Sequence, residues 1–114
     1  MDNCLFCKII SGEIPSTMVY EDDQTFAFKD INPQAPFHVL VVPKKHVSSV
    51  AEIDRLSNDE IAACLLAVRK IAVSEPSLSG GFRIISNCGS DACQSVPHLH
   101  FHILGGTQMA ERMA

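Results

Sequence analysis

Alternation of apolar and polar residues along the chain predicts five short β-strands. Two β-prone runs, 18–20 and 25–28, are joined by four polar residues and predict an antiparallel hairpin. An almost continuous apolar run over 37–42 predicts a strand that is buried on both faces. Two further strands are expected over 82–87 and 97–104.

Helical spacing predicts one long and one short helix. Ser57 followed three residues later by Glu60 is a capping box, and it opens a helix to about Val73. Its expected buried stripe consists of Ile61, Cys64, Leu65, Val68, Ile71 and Ala72. A short helix is expected over 4–11, ended by Gly12. Short strands with one long helix are typical of an α+β fold with a mostly antiparallel five-stranded sheet, whose open edge would favour pairing with a second copy.

Length and composition restrict the class of protein. The 114 residues suit a single domain, 1–114, with 46% hydrophobic and 19% charged residues. The net charge of −4 gives no basic surface for a nucleic acid polymer, although a small nucleotide needs only a pocket. The sequence has no apolar run of roughly 18 residues, so no membrane partner is expected. Five cysteines and a start unlike a signal peptide predict a cytoplasmic protein.

The segment 96–104 carries the most informative pattern of the chain. Three of the five histidines, His98, His100 and His102, alternate there with Leu, Phe and Ile. At the two-residue period of a strand, the histidines share one face. Three interpretations remain: a polar outer face, a zinc site of three imidazoles, or a catalytic site with a histidine nucleophile. Three ligands in one row are strained, because the outer pair would lie roughly 13 Å apart along the backbone.

The loop before this segment favours the nucleophile. Residues 87–95 supply small side chains, backbone N–H groups, a hydroxyl and two amides, which can hold a phosphate without a cation. A neutral imidazole attacks phosphorus well and leaves readily from the adduct, and its neighbours would manage protons.

The histidine segment is similar to the signature of the histidine triad (HIT) superfamily. The resemblance extends over nearly the whole chain and is to the Hint branch, the purine nucleoside phosphoramidate hydrolases. The other matching segments are Cys4–Ile10 with Glu13–Pro15, Tyr20–Asp22, Asp30–Ile31 with Pro33–Pro36, His38, Pro43–His46, Gln94–Val96 and Gly105–Gly106.

The resemblance implies a HIT-like fold, a homodimer whose sheets join across the interface, and cleavage of a P–N bond without a catalytic cofactor. His100 would be the nucleophile that accepts the nucleotidyl group, and Ser95 would assist the leaving amine. His38 and His102 would complete the proton network. The implied nucleotide contacts are Phe6, Ile9, Ile14, Phe28 and Ile31 for the purine base, Asp30 for the ribose, and Asn87, Cys93, Gln94, Ser95, His100 and His102 around the phosphate.

Simpler interpretations exist for several of these residues. Asp30 before a proline-rich turn is also the pattern of an Asx turn. His38 and the apolar slot residues would serve as ordinary core, and Ser95 as a cap of its loop. Two rival functions are also open: dinucleoside polyphosphate hydrolysis, and a slow-turnover nucleotide-binding or scaffold protein.

Two features depart from, or add to, the Hint pattern. Ala92 and Cys93 stand where that pattern usually has glycine, so a positive φ at position 93 would be strained. Cys4 and Cys7 have the spacing of metal ligands. By resemblance to bacterial-type HIT proteins, they would form a structural zinc site with His46 and His98; the alternative is a pair of free thiols.

Overall fold

The central sheet has five antiparallel strands in the order β1-β2-β3-β5-β4. The computed structural model describes residues 3–112. The strands are β1 (Met18–Glu21), β2 (Thr25–Lys29), β3 (Phe37–Pro43), β4 (Phe82–Ile85) and β5 (Phe101–Gly105). The predicted α+β class with a mostly antiparallel sheet is therefore confirmed.

The two α-helices cover opposite faces of this sheet. Helix α2 (Asn58–Val73) packs on the face formed by Ala27, Val41 and Ile103. Helix α1 (Leu5–Ile10) packs through Phe6 on the other face, together with Phe26, Phe28, Leu40 and Val42. Because successive side chains of β3 point to opposite faces and both faces are covered, the strand is apolar almost throughout, as predicted.

The capping box of α2 is confirmed, but the buried stripe of the helix differs from the prediction: Leu65 is outside it, Ile61 is only partly buried, and Ala67 belongs to it. Ser57 accepts from the Glu60 N–H, and Glu60 accepts from the Ser57 N–H. Leu65, expected in the core, is 49% exposed. The stripe instead consists of Cys64, Ala67, Val68, Ile71 and Ala72, which follow the helical period around a face that excludes position 65.

The last two strands are shorter than predicted, because residues next to them bond to other parts of the chain. Strand β4 ends at Ile85, and the next hydroxyl, that of Ser86, donates to the His100 carbonyl. Strand β5 begins only at Phe101, so His98 and His100 precede it. The Leu99 N–H donates instead to the Val47 carbonyl, which ties this segment to a loop outside the sheet.

Strands β1 and β4 form the two edges of the sheet. The pairing of β1 is irregular between Met18 and Tyr20, whereas β4 pairs regularly with β5. Phe82 and Ile84 of β4 are both exposed. Among residues 3–112, none of the helices has the length and apolar character needed to cross a membrane.

Candidate active site and metal centre

One cavity of about 230 Å³ collects most of the residues predicted for the nucleotide site. It opens between α1, the end of β2 and the histidine segment. The predicted residues that line it are Phe6, Ile9, Ile14, Phe28, Asp30, Ile31, Ser95, His100 and His102. Asn87 lines a neighbouring cavity of about 330 Å³, which shares His38 and His102 with the histidine cluster. The two cavities meet at His102.

The sequence interpretation missed several lining residues, among them Leu40 and Val96. Leu40 lies two residues after His38 on β3, so strand alternation already places it on the face of the site. Val96 directly follows Ser95, which is a predicted contact.

The apolar side of the cavity combines two aromatic rings with aliphatic side chains. The rings of Phe6 and Phe28 meet edge to face with centroids 5.4 Å apart, and both are buried. Ile31, at the other extreme, is 99% exposed at the mouth of the cavity. This side can hold a flat apolar group of the size of a purine.

The three histidines of the triad have three different environments. His98 is buried beside His46, with ring centroids 4.8 Å apart. His100 lines the cavity and meets the Phe6 ring at 5.1 Å. His102 lies against His38, with 2.8 Å between Nδ1 of His102 and Nε2 of His38. The three histidines therefore do not share one environment, as the predicted common face implied.

Hydrogen bonds fix the tautomers of the site. The Gln34 N–H donates to Nδ1 of His38, so the neutral His38 ring carries its proton on Nε2 and donates it to Nδ1 of His102. The proton of His102 is then on its Nε2. Nδ1 of His100 lies 2.7 Å from the His98 carbonyl, which can only accept. Hence Nδ1 of His100 is protonated and its Nε2 carries the lone pair.

Burial keeps these rings neutral. Desolvation lowers the pKa of His100 below its ordinary value of 6.5. Desolvation, with the neighbouring imidazoles His100 and His38, lowers the pKa of His102 to about 4. The pKa of His38 is also lowered by burial, and the Asp30 carboxylate opposes that shift. A neutral imidazole with a free Nε2 is the form that can attack an electrophile.

Asp30 forms an Asx turn and also lines the cavity. Its Oδ1 accepts from the Asn32 N–H at 2.8 Å, which is an Asx turn. Its Oδ2 lies 3.4 Å from Nε2 of His38, and the residue lines the cavity. The turn therefore holds the carboxylate in the site rather than competing with a functional role.

The loop before the triad is held together by its own hydrogen bonds. The N–H groups of Cys93 and Gln94 donate to the carbonyls of Ser90 and Gly89. The Gln94 amide accepts from the Gly89 N–H and donates to the carbonyls of Ser48 and Val96. The predicted phosphate contacts Cys93 and Gln94 thus bond within the protein, and Ser95 is the loop residue that lines the cavity.

The same loop contains a strained backbone position and a second internal amide contact. Cys93 has φ of 62° and ψ of 35°, and it is the one non-glycine residue with positive φ among residues 3–112. This is the left-handed conformation in which a Cβ is unfavourable. The Asn87 amide donates to the Ala92 carbonyl, so this predicted phosphate contact also supports the loop.

Two thiols and two imidazoles converge at the start of α1. The ligand atoms of Cys4, Cys7, His46 and His98 all lie within 4.8 Å of one another. Nε2 of His98 donates to the Pro43 carbonyl, which leaves the Nδ1 lone pair directed at the cluster. That Nδ1 lies 3.3 Å from Cys4 Sγ and 3.1 Å from Nδ1 of His46.

These distances suit a tetrahedral metal. Ligand atoms at the usual Zn–S and Zn–N distances are about 3.2 to 3.8 Å apart. Burial, followed by the neighbouring Cys4 thiol, raises the pKa of Cys7 to about 11. A divalent cation would therefore have to displace this thiol proton. The residues fit a structural Cys₂His₂ zinc site.

Asp30, His38 and His102 form a second convergent group of possible ligands. Here the tautomers argue against a metal. Nδ1 of His38 accepts the Gln34 N–H, so its Nε2 keeps a proton and has no lone pair for a cation. This group is a hydrogen-bonded relay.

Comparison with known proteins agrees with this geometry. The profile of the HIT domain family matches residues 11–109. The "14 kDa zinc-binding protein" of Zea mays is 47% identical over 107 residues, which cover 92% of this chain and 83% of that protein. The "Adenylylsulfatase HINT1" of Arabidopsis thaliana is 45% identical over 107 residues, which cover 92% of this chain and 72% of that protein.

A solved structure supports the same assignment. The HIT family hydrolase from Clostridium thermocellum superposes with a TM-score of 0.94 at 45% identity, and the match covers 100% of this chain and 99% of that one. This chain belongs to the HIT family. The comparisons support a hydrolase of that family.

Proposed function

We propose that this chain is a nucleotide hydrolase that cleaves the P–N bond of purine nucleoside 5′-phosphoramidates. The observation that carries the proposal is His100: its protonated Nδ1 is bonded to a carbonyl, and its unprotonated Nε2 belongs to a ring that lines an apolar cavity. A cytoplasmic location is part of the same proposal.

In the first step, the Nε2 lone pair of His100 forms a bond to the α-phosphorus while the P–N bond of the substrate breaks. The leaving nitrogen takes a proton and departs as an amine, and the nucleotidyl group stays on His100. Ser95 is the hydroxyl in the cavity that can deliver this proton. In the second step, water attacks the same phosphorus and gives up a proton, which restores the Ser95 hydroxyl. The P–N bond to His100 then breaks, and the nucleoside monophosphate is released.

The relay through His38 supports both steps. It holds a proton on Nε2 of His102, and this N–H can donate to a phosphoryl oxygen as charge increases in the transition state. Because the pKa of His102 is about 4, the donor is a neutral ring at physiological pH. The hydrogen bond from His102 thus activates the phosphorus, and the His102 ring itself carries no positive charge.

The two sides of the cavity support this substrate class. Phe6, Ile9 and Phe28 provide an apolar slot for a purine base. The Asp30 carboxylate can accept hydrogen bonds from two ribose hydroxyls. The name of the Arabidopsis relative, an adenylylsulfatase, supports an adenylyl group as the part that is transferred.

Two alternative functions are compatible with the same site. Dinucleoside polyphosphate hydrolysis would use the same nucleophile but a phosphate leaving group, for which a hydroxyl near the leaving atom is less needed. A slow-turnover binding or scaffold protein would keep the cavity without using the nucleophile. The neutral, tautomer-fixed His100 favours catalysis over a binding role.

We also propose that Cys4, Cys7, His46 and His98 hold a structural zinc ion. The convergence of four ligand atoms and the fixed tautomer of His98 support it, as do the zinc-binding names of relatives from Zea mays and Brassica juncea. No step of the proposed reaction uses this ion.

A homodimer that extends the sheet is the third part of the proposal. Strand β4 is an edge strand with regular pairing on its inner side and exposed Phe82 and Ile84. The other edge, β1, contains an irregularity of the kind that discourages strand pairing. Two copies would therefore meet at β4.

Incubation with an adenosine 5′-phosphoramidate tests the reaction. We expect release of AMP and amine, with a transient AMP adduct detected by intact mass and mapped to His100. The His100→Ala variant should lose turnover and the adduct while it still binds AMP. An unchanged rate in that variant would exclude the proposed mechanism, and a preference for dinucleoside polyphosphates would favour the first alternative.

A further inference from the structure

Phe6 connects the metal centre to the nucleotide site. It lies on α1 between the two cysteine ligands, and its buried ring meets three other rings edge to face. The ring centroids are 5.9 Å from His98, 5.1 Å from His100 and 5.4 Å from Phe28. One side chain therefore touches a metal-ligand candidate, the nucleophile and the base slot.

His98 provides a second connection between the same two sites. Its ring belongs to the Cys/His cluster, whereas its backbone carbonyl accepts a hydrogen bond from Nδ1–H of His100. His100 is thus held in two ways. It donates a hydrogen bond to the backbone carbonyl of His98, and it contacts the Phe6 ring, which lies between Cys4 and Cys7 in the sequence. A shift of the cluster would move both supports of His100.

Helix α1 depends on such support. It has six residues, which is too short to be stable by itself in water. Cys4 caps it, since its Sγ accepts the Cys7 N–H at 3.3 Å. Joining Cys4 and Cys7 to His46 and His98 would fix the helix against two distant parts of the chain, and with it the position of the Phe6 ring.

We infer that Phe6 is a positioning residue that transmits the state of the Cys/His cluster to His100. When the cluster is joined by its metal, the Phe6 ring holds the His100 imidazole in the orientation for attack. When the cluster is open, α1 moves and the ring loses that orientation. The inference rests on the proposed function for its kinetic readout and on the proposed zinc site for the metal that joins the cluster.

The kinetic test compares Phe6→Leu with a matched control. Leucine keeps an apolar side chain in the core but removes the aromatic edge beside His100. Phe26→Leu is the control, because Phe26 is buried in the same core cluster and meets Phe28 at 6.0 Å.

We expect Phe6→Leu to lower kcat by about ten- to a hundredfold, more than it raises KM, as for a misplaced catalytic group. The control Phe26→Leu should retain kcat within about twofold, since this substitution is expected to reduce only the stability of the fold. Equal losses of kcat in both variants would overturn the inference.

Imidazole ¹⁵N spectra of His100 provide a readout that does not depend on turnover. In zinc-loaded protein, Phe6→Leu should shift the His100 signals, while Phe26→Leu should leave them in place. Removal of the metal from the wild type with a chelator should shift the same signals and weaken AMP binding. Unchanged His100 signals in folded, metal-depleted protein would overturn the coupling. If depletion unfolds the chain, the spectrum of zinc-loaded Phe6→Leu decides.

The two proposals can fail separately. A protein without phosphoramidase activity but with the expected ¹⁵N shifts would keep the coupling and refute the reaction. An active enzyme whose His100 signals change neither in Phe6→Leu nor on metal removal would support the reaction and refute the coupling.

Discussion

Nε2 of His38 lies 2.8 Å from Nδ1 of His102, and this hydrogen bond joins adjacent strands β3 and β5 within the candidate active site. The two residues are 64 positions apart in the sequence. Their bond orders the protons of the site, because the Gln34 N–H fixes one end of the relay. The proton that results on Nε2 of His102 makes this ring a hydrogen-bond donor.

Loss of this relay should slow catalysis without preventing binding. In His38→Ala, the side chain can neither accept the Gln34 N–H nor donate to Nδ1 of His102, so His102 loses its fixed tautomer. We expect kcat to fall by about ten- to a hundredfold. AMP affinity, measured by calorimetry, should change much less. A variant with normal kcat would show that the relay is not used.

The rate should persist into mildly acidic solution. Burial lowers the pKa of His100 below 6.5, so the nucleophile stays neutral and active at pH values where an exposed imidazole is already protonated. The acidic limb of the profile of kcat/KM against pH should therefore lie below pH 6.5. A limb at or above that value would mean that burial does not protect the nucleophile.

Strain at Cys93 should be removable. Because Cys93 has a φ of 62°, Cys93→Gly should stabilise the protein by about 0.5 to 1 kcal/mol after the entropy of the glycine is subtracted. The control Cys93→Ala keeps the Cβ and should remain within about 0.5 kcal/mol of the wild type. Urea unfolding measures both. Equal stabilities of the two variants would contradict strain at this position.

Metal content should depend on Cys7 and not on every thiol. Protein purified without a chelator should contain about one zinc ion per chain, as a closed Cys₂His₂ site requires. Cys7→Ser should lose the ion and about 3 kcal/mol or more of stability. Cys88→Ser, which changes an exposed cysteine outside the cluster, should keep the ion. Metal-free wild type with the same melting temperature would remove the zinc proposal.

The oligomeric state should respond to one edge of the sheet. We expect the wild type to sediment as a dimer in sedimentation velocity. Ile84→Glu places a charge on the exposed surface of β4 and should give monomers. Val19→Glu, on the irregular edge β1, should leave the dimer intact. A monomeric wild type, or a dimer broken only at Val19, would be inconsistent with pairing at β4.

Local patterns predicted most of the fold because they are set by short-range physics. The capping box of α2, the β1–β2 hairpin and the buried strand β3 depend on neighbouring residues and on periodicity. Prediction was wrong for Leu65 and for the length of β5, where contacts distant in sequence decide. The N–H of Leu99 bonds to Val47, a partner that no local pattern identifies.

The sequence by itself determined which chemical groups the site contains, since it specifies side-chain identity and spacing. These groups are alternating imidazoles, a carboxylate, a hydroxyl, and the thiols and imidazoles of the Cys/His cluster. Only the tertiary structure decided how they are used. It directed His98 to the cysteines, His100 to the cavity and His102 to His38. The physical reason is that a tautomer, a pKa and a ligand set each depend on partners that the folded backbone brings together from distant positions.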